Sequence, residues 1–340
     1  MINDFELENY GPITKAKGKA LGRINLVLGE NSTGKTFLLK ALYSAIRSHE
    51  EANKGNSNQD FSEVLSDKLY WTFQVDKIGG IVTKGDGKTL STRISLADNS
   101  SLAFSFGKNT TKKVTPSHNT LTKRDSNSIF LPPKEVLSLM SVIDKSANHD
   151  KVFGFDATYT DLVSALRLPT QKGLDHDAFS SSRKLLEDMF SGKVEFDLSS
   201  NEWVYKKGKT KFSIMSAAEG VKKIAILDTL LANRYLGKDS IVFIDEPESA
   251  LHPTAIVKLL DIVTLLAQEG IQFFLATHSY YVIKKLALIA NHNNMRIPTF
   301  MANAEDSTWQ QSCLLKDGLP DNEIINESIR LFEAEFEGIQ

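Results

Sequence analysis

Gly29-Glu30-Asn31-Ser32-Thr33-Gly34-Lys35-Thr36 is the stretch that decides the fold, because it matches the pattern G-x-x-x-x-G-K-[ST] at every fixed position. The apolar run at residues 21–28 predicts a buried strand before it, and residues 37–42 predict a helix after it. A chance match would be only a glycine-rich turn with a surface lysine, and the strand–loop–helix context argues against that. We therefore expect a phosphate-binding loop.

In such a loop the two glycines let successive N–H groups turn toward phosphate oxygens, at a helix N-terminus that favours negative charge. Lys35 would reach the terminal phosphates of a nucleotide, and the Thr36 hydroxyl would ligate Mg²⁺. The residues expected to bind the nucleotide here are Asn31, Ser32, Thr33, Gly34, Lys35 and Thr36.

The bulk composition is that of a soluble globular protein, with 41% hydrophobic and 24% charged residues in 340. The net charge of −2 gives no general reason to expect nucleic acid, although it leaves room for a local basic patch. The single cysteine, Cys313, excludes an internal disulfide and a cysteine-based zinc site. Neither a signal peptide nor a membrane span is visible, so we expect a cytoplasmic protein.

A second apolar run, Ile241-Val242-Phe243-Ile244, predicts a central parallel strand that ends in Asp245-Glu246. Ligands of α/β sheets bind at the carboxyl ends of such strands, so Asp245 is expected to hold Mg²⁺, directly or through water. Glu246 would align and polarise the attacking water. The alternative is a solvated acidic turn. His278 follows the next apolar strand and is expected to donate a hydrogen bond to the γ-phosphate.

Between these motifs the pattern changes twice. Residues 69–106 alternate with period two and predict an antiparallel β-subdomain, with strands at 69–75, 80–82, 90–96 and 102–106. Residues 137–190 read as mostly helical and predict an arm broken at Gly154, Pro169 and Gly173.

Shorter segments complete these expectations. Residues 2–7 predict an edge strand, residues 50–60 a mobile loop, and residues 193–214 a β-meander with turns at Ser199-Ser200-Asn201 and Lys207-Gly208-Lys209. The segment after the meander, Met215 to Gly220, leads into a helix.

The order of these motifs, with Leu251-His252-Pro253 and Thr277-His278-Ser279, resembles the ABC-type ATPase heads, and within them the RecF/SMC/OLD branch. The resemblance covers roughly residues 1–45 and 210–285. It implies an α/β P-loop fold with a mixed central sheet, an antiparallel β-subdomain and an α-helical insertion. The expected division is an N-terminal lobe (1–136), a helical arm (137–192) and a C-terminal lobe (193–340).

Met215-Ser216-Ala217-Ala218-Glu219 occupies the place of the family's signature segment. The resemblance implies that Ser216 binds the γ-phosphate held by a second copy, in a head-to-tail ATP dimer. Two alanines stand where the family has glycines, and the open alternative is a capping sequence with Ser216 as N-cap and Glu219 at N3. The family's Q-loop glutamine is missing after residues 129–131, where Pro132-Pro133-Lys134-Glu135 stands instead.

The expected function is an ATPase that uses ATP and Mg²⁺ and controls a separate effector protein, in bacterial anti-phage defence. The roughly 60 residues after His278 are too few for the Toprim nuclease domain of OLD proteins. The alternative is a RecF-like DNA-binding ATPase in repair, with basic contacts at Lys112-Lys113, Lys123-Arg124, Lys206 to Lys211 and Lys222-Lys223. A transporter subunit is disfavoured because 180 residues separate Lys35 from Met215.

Overall fold

The computed structural model describes residues 1–54, 59–171, 177–189, 192–197, 202–303 and 306–337. The strands are β1 (Ile2–Tyr10), β2 (Ile13–Gly18), β3 (Ile24–Leu28), β4 (Thr89–Leu96), β5 (Ser101–Gly107), β6 (Pro116–Asn119), β7 (Ser128–Leu131), β8 (Lys193–Asp197), β9 (Glu202–Lys207), β10 (Thr210–Ser213), β11 (Ile241–Asp245), β12 (Gln272–Thr277), β13 (Pro298–Ala302) and β14 (Thr308–Cys313).

The helices are α1 (Lys35–Ala52), α2 (Phe61–Phe73), α3 (Met140–Asp144), α4 (Ala157–Leu166), α5 (Asp177–Met189), α6 (Glu219–Ala232), α7 (Pro253–Gln268), α8 (Tyr280–His292), α9 (Leu314–Asp317) and α10 (Glu323–Glu337). Short 3-10 turns lie at Ile78–Ile81 and Ile214–Ser216, and a π turn lies at Lys145–His149. None of the described helices is long and apolar enough to span a bilayer.

One mixed sheet organises the described residues, with the strand order β6-β5-β4-β1-β2-β14-β13-β3-β12-β11-β7. The run β13-β3-β12-β11-β7 is parallel, and β6-β5-β4-β1-β2 is antiparallel. Strands β3, β11 and β12 are buried along their whole length, as continuous apolar runs require. The phosphate loop and Asp245 therefore lie at the same carboxyl edge.

Two hydrophobic clusters cover the two faces of this sheet. One contains buried side chains of α1 and α2, and the other those of α4, α6, α7 and α8. Alternate residues of β11 point into different clusters: Val242 into the second and Phe243 into the first. The sheet is thus the middle layer between helices, which is the arrangement expected for an α/β fold.

Residues 69–75 are not a strand, as the period-two pattern had predicted, because 61–73 form helix α2. Asp60 caps this helix by accepting a hydrogen bond from the Ser62 amide at 3.0 Å. Leu65, Leu69 and Thr72 then fall on one buried face that packs against α1. Residues 80–82 are not a strand either, since a 3-10 turn covers Ile78–Ile81.

Two further expectations are corrected, one strand was missed, and one expectation is confirmed. Strand β1 is not an edge strand, because it pairs with β2 on one side and β4 on the other. Glu50 and Glu51 belong to α1 and not to a loop, and residues 55–58 lie outside the described residues. Strand β13 was not predicted at all. The β-meander is confirmed as the three-stranded sheet β10-β9-β8.

The described part of 137–190 is mostly helical, as predicted, with non-helical residues at 137–139, 150–156 and 167–171. Helix α4 packs against β7, and α5 packs against α6 and α7. Leu162 on α4 and Leu186 on α5 are fully buried in the same cluster as Val242. Gly173 and the turn Ser199-Ser200-Asn201 lie outside the described residues. The division of the chain into two lobes and a helical insertion stays a prediction.

Candidate functional site

The phosphate loop ends at Gly34, which is the N-cap of α1 and has a left-handed backbone with φ of 100°. A Cβ atom there would also lie 2.9 Å from Pro12 Cγ, so only glycine fits this position. Lys35 then turns its ammonium back into the loop, where Nζ donates to the carbonyl oxygens of Gly29 and Glu30, both at 2.7 Å. Burial lowers the pKa of Lys35. Two carbonyl oxygens of the loop therefore hold the ammonium that is expected to reach the terminal phosphates.

Thr36 and Asp245 meet across the carboxyl edge of the sheet. The Thr36 hydroxyl donates to Asp245 Oδ2 at 2.7 Å, although 209 residues separate the two. Burial raises the pKa of Asp245. A hydroxyl and a carboxylate in contact are oxygen ligands of the type that Mg²⁺ takes in nucleotide sites, where it uses few protein ligands and several phosphate oxygens. The two residues expected to bind metal thus fit that ion.

Glu246 follows Asp245 in an unusual backbone conformation, with a positive φ of 52°. Its amide donates to the Ala276 carbonyl at the end of the neighbouring strand β12, at 2.9 Å. A non-glycine residue in the left-handed region is costly and persists only where its surroundings hold it. The surroundings of the strand end therefore hold the Glu246 backbone in this conformation.

Glu248 joins this strand end to the next one. Its Oε1 atom accepts hydrogen bonds from Thr277 Oγ1 at 2.7 Å and from the His278 amide at 3.1 Å. Its Oε2 atom is buried and has no hydrogen-bond partner among the described residues. An unsatisfied buried carboxylate oxygen is rare in folded proteins and marks a place for a further donor or cation.

His278 lies beside both of these carboxylates, as the sequence order suggested. Its Nδ1 atom is 3.6 Å from Glu246 Oε1 and 3.7 Å from Glu248 Oε1, just beyond hydrogen-bonding distance. The His278 side chain is 47% exposed, so it faces open space at the same edge as the phosphate loop. Glu246 and His278 are therefore brought together, next to Thr36 and Asp245.

Lys223 is a residue of this site whose position the sequence did not reveal. It lies in the first turn and a half of α6, and its ammonium donates to the Glu246 carbonyl. It also lies 3.5 Å from the Pro133 carbonyl oxygen. Burial lowers the pKa of Lys223 to about 8, against the opposing effect of Glu248, Glu246 and Asp245. The signal available in the sequence was that Lys223 lies one helical turn after Glu219, the last residue of the segment that takes the place of the family's signature.

The segment around Ser216 differs from the capping arrangement considered above. Helix α6 begins at Glu219 with Ala218 as its N-cap, and no side chain caps it. Ser216 is exposed in the 3-10 turn before it, so the interpretation of Ser216 as N-cap is wrong. Within the described part of the chain, no hydrogen bond joins Ser216 to the phosphate loop. Its contact with a second copy stays a prediction.

Gly220 is a second residue that sequence analysis did not single out. A Cβ atom on Gly220 would lie 2.8 Å from the Ala250 carbonyl oxygen and 3.0 Å from Leu251 Cδ2. The start of α6 thus packs closely on the loop that follows Glu248. The position of helix α6 is consequently coupled to that of the loop after the acidic strand end.

The fold and this edge of the sheet define the class: an α/β P-loop protein with the fold of an ABC-type ATPase head of the RecF/SMC branch, as the sequence predicted. Residues 24–284 match the family described as "AAA domain, putative AbiEii toxin, Type IV TA system". The match covers most of the chain, so the protein belongs to this family. None of the curated proteins matches the chain.

Solved structures are similar to the chain at low sequence identity, and the first of those that follow supports the fold. An SMC head bound to the C-winged helix domain of ScpA is 10% identical, with a TM-score of 0.55, over 92% of this chain and 98% of that one. The SMC head domain from Thermotoga maritima is also 10% identical, with a TM-score of 0.48 over the same shares. RecF, a recombination mediator of the RecFOR pathway, is 16% identical, with a TM-score of 0.47, again over 92% and 98%.

Proposed function

We propose that the protein hydrolyses ATP at this edge of the sheet. The observation that carries the proposal is the Thr36–Asp245 hydrogen bond of 2.7 Å, which joins the phosphate loop to the strand end that bears Glu246. Thr36 and Asp245 would hold Mg²⁺, which when bound neutralises charge on the phosphate oxygens. Phosphoryl transfer needs mainly positioning and charge stabilisation, and these residues supply both.

Each remaining residue has a role in that reaction. The amides of residues 31–36 and the Lys35 ammonium bind the phosphates, and Glu246 aligns the attacking water. His278, beside Glu246, donates a hydrogen bond to the γ-phosphate. The test is Mg²⁺-dependent phosphate release by the purified protein, with Glu246→Gln and Lys35→Ala as variants. Turnover by Glu246→Gln at the wild-type rate would contradict the role of Glu246.

We further propose that two copies close around ATP and that this closure controls a separate effector in bacterial anti-phage defence. Support comes from the exposed segment at Ser216, from the "putative AbiEii toxin, Type IV TA system" description of the family, and from the SMC head that was crystallised with a domain of ScpA. Glu246→Gln, which should bind ATP without hydrolysing it, and Lys35→Ala, which should bind it poorly, are a matched pair of variants for testing closure.

Light scattering should detect a dimer of Glu246→Gln with ATP, and only a monomer of Lys35→Ala under the same conditions. A Ser216→Ala change should weaken the dimer without changing nucleotide affinity in the monomer. Co-purification with the product of a neighbouring gene, with and without ATP, then tests control of an effector. A monomer in every nucleotide state would contradict closure.

At least four of the ten basic residues that the DNA-binding alternative would use are paired with carboxylates in the structure. Lys113 pairs with Asp60 at 2.9 Å, Lys211 pairs with Asp197 at 2.7 Å, and Lys206 pairs with Glu195. Arg124 is buried against Glu50. Arg124 is buried, and these three lysines share their charge with a neighbouring carboxylate, so we favour the effector proposal. DNA affinity that falls steeply with salt would reverse this preference.

A further inference from the structure

The acidic strand end and the turn at residues 132–135 are connected through two side chains, those of Lys223 and Ser249. Lys223 donates to the Glu246 carbonyl, and its Nζ atom lies 3.5 Å from the Pro133 carbonyl oxygen. The same carbonyl of Pro133 accepts a hydrogen bond from Ser249 Oγ at 3.2 Å. The turn after β7 and the loop after β11 thus meet at Lys223.

This contact matters because of the residue that it holds. Glu246 has a positive φ of 52°, a conformation that side chains other than glycine avoid. Three hydrogen bonds hold its peptide groups: the amide donates to Ala276, and the carbonyl accepts from Lys223 and from the Ser249 amide, the latter at 3.0 Å. The Ser249 bond closes a turn within the same loop, so Lys223 is the partner that ties the Glu246 carbonyl to helix α6. Without the ammonium, this carbonyl would keep only the bond of its own turn, and the direction of the Glu246 carboxylate would be set less firmly.

The chemistry of this position suits a lysine. An ammonium offers three donors, while carbonyl oxygens of two different loops converge on it. The charges of Glu248, Glu246 and Asp245 partly offset the cost of burying the ammonium.

We propose that Lys223 is a positioning residue for Glu246, which ties the Glu246 backbone to the turn at residues 132–135 and so aims the carboxylate at the attacking water. This inference rests on the proposed ATP hydrolysis and deepens it. It also allows the turn at 132–135 to influence the rate of hydrolysis, because a ligand that moves Pro133 moves a hydrogen-bond partner of Lys223.

The test compares Lys223→Met and Lys223→Arg with the control variant Lys285→Met. The control breaks an ion pair between Lys285 on α8 and Asp261 on α7. Lys223→Met should lower kcat by about tenfold to a hundredfold, the effect of a misaligned catalytic group, with unchanged affinity for Mg²⁺–ATP. Lys223→Arg keeps donors and charge and should recover part of the rate. Lys285→Met should hydrolyse ATP like the wild type.

A double-mutant cycle shows whether Lys223 acts through Glu246. In the Glu246→Gln background, Lys223→Met should cause no further loss, because the group that Lys223 aims is already gone. Equal losses in both backgrounds, an unchanged kcat, or a loss of nucleotide affinity would overturn the inference; the last would make Lys223 a phosphate ligand. Lys223→Gln replaces the methionine variant if that variant does not fold.

The failure of this inference differs from a failure of the proposed function. A wild-type protein that binds Mg²⁺–ATP and releases no phosphate contradicts both. A wild-type protein that hydrolyses ATP through Glu246, with Lys223→Met equally active, contradicts only the role of Lys223.

Discussion

Two clusters of buried charge occupy the same fold and are built in opposite ways. The first, which we term the structural network, joins α1, α2, α4 and the segment before β7. Lys68 contacts both Glu51 and Asp161 at 2.9 Å, and Tyr43 donates to Asp161 at 2.6 Å. The members of the structural network are Arg47, Glu50, Glu51, Lys68, Arg124 and Asp161.

The structural network is balanced, since three cations face three carboxylates. Glu50 shows how completely its members are satisfied: its oxygens accept from the Ser128 amide and hydroxyl, both at 2.7 Å, as well as from Arg124. Burial acts to raise the pKa of Asp161, but Lys68 and Arg47 outweigh it and hold this pKa below its usual value.

The second cluster, at the carboxyl edge of the sheet, is unbalanced. Asp245, Glu246 and Glu248 lie near two lysines, Lys35 and Lys223. Burial raises the pKa of Asp245, Glu248 keeps a buried oxygen without a partner in the described part of the chain, and Glu246 has a left-handed backbone. One cluster is completed by the protein, and we propose that the other is completed by a ligand. On this proposal, the difference separates charge used for stability from charge used for function.

The largest effect on stability is expected from opening the structural network. Lys68→Met leaves Arg47 as the cation that Glu51 and the buried Asp161 share, so it should lower the free energy of unfolding by about 3–5 kcal/mol. Urea unfolding followed by circular dichroism measures this loss. Lys285→Met, which removes a pair with the exposed Asp261, should cost no more than about 1 kcal/mol. Similar losses in the two variants would contradict the comparison.

Lys35→Ala addresses the unbalanced cluster and should leave the fold intact. Loss of a charge-assisted contact to phosphate should weaken nucleotide binding by roughly 3 kcal/mol, or about a hundredfold. Calorimetric titration with Mg²⁺–ATP measures the affinity. The free energy of unfolding without nucleotide should not fall, because the variant removes a desolvated cation. If Lys35→Ala were strongly destabilised and bound Mg²⁺–ATP normally, the cluster at the carboxyl edge would serve stability and not nucleotide binding.

The pH dependence of stability distinguishes the clusters next. The depressed pKa of Asp161 contributes stability that is present above its unfolded pKa of about 3.9 and is lost as pH falls through the folded value. Lys68→Met removes the main cause of that depression. The difference in unfolding free energy between wild type and Lys68→Met should therefore narrow below about pH 4. A constant difference from pH 7 to pH 3 would count against this account.

The smallest effect is expected where α6 packs on the acidic loop. Gly220→Ala puts a methyl group 2.8 Å from a backbone oxygen, so it should cost about 1 kcal/mol despite the better helix propensity of alanine. Gly237→Ala is the matched control, because nothing lies within 4 Å of its added Cβ. Thermal unfolding compares the two. An equally stable Gly220→Ala would show that this contact is not tight.

How much the sequence predicted follows from how local each feature is. The phosphate loop, Asp245-Glu246 and His278 are contiguous motifs at the ends of apolar strands, so their order was enough to predict that they meet. Lys223 and the structural network depend on partners far apart in sequence, such as Lys68 and Asp161, which no local pattern links. The prediction of a strand in place of helix α2 was wrong because the aromatic residues there are compatible with both strand and helix periodicity. Packing against α1, which no local pattern shows, selects the helix.

The steady-state rate of phosphate release from Mg²⁺–ATP, compared between wild type and Glu246→Gln at equal nucleotide occupancy, tests the central claim most directly. The account predicts that Glu246→Gln binds ATP as tightly as wild type and that kcat falls by about a hundredfold or more, the contribution of a positioned general base. Equal rates in the two proteins, or no release by wild type with ATP bound, would contradict it.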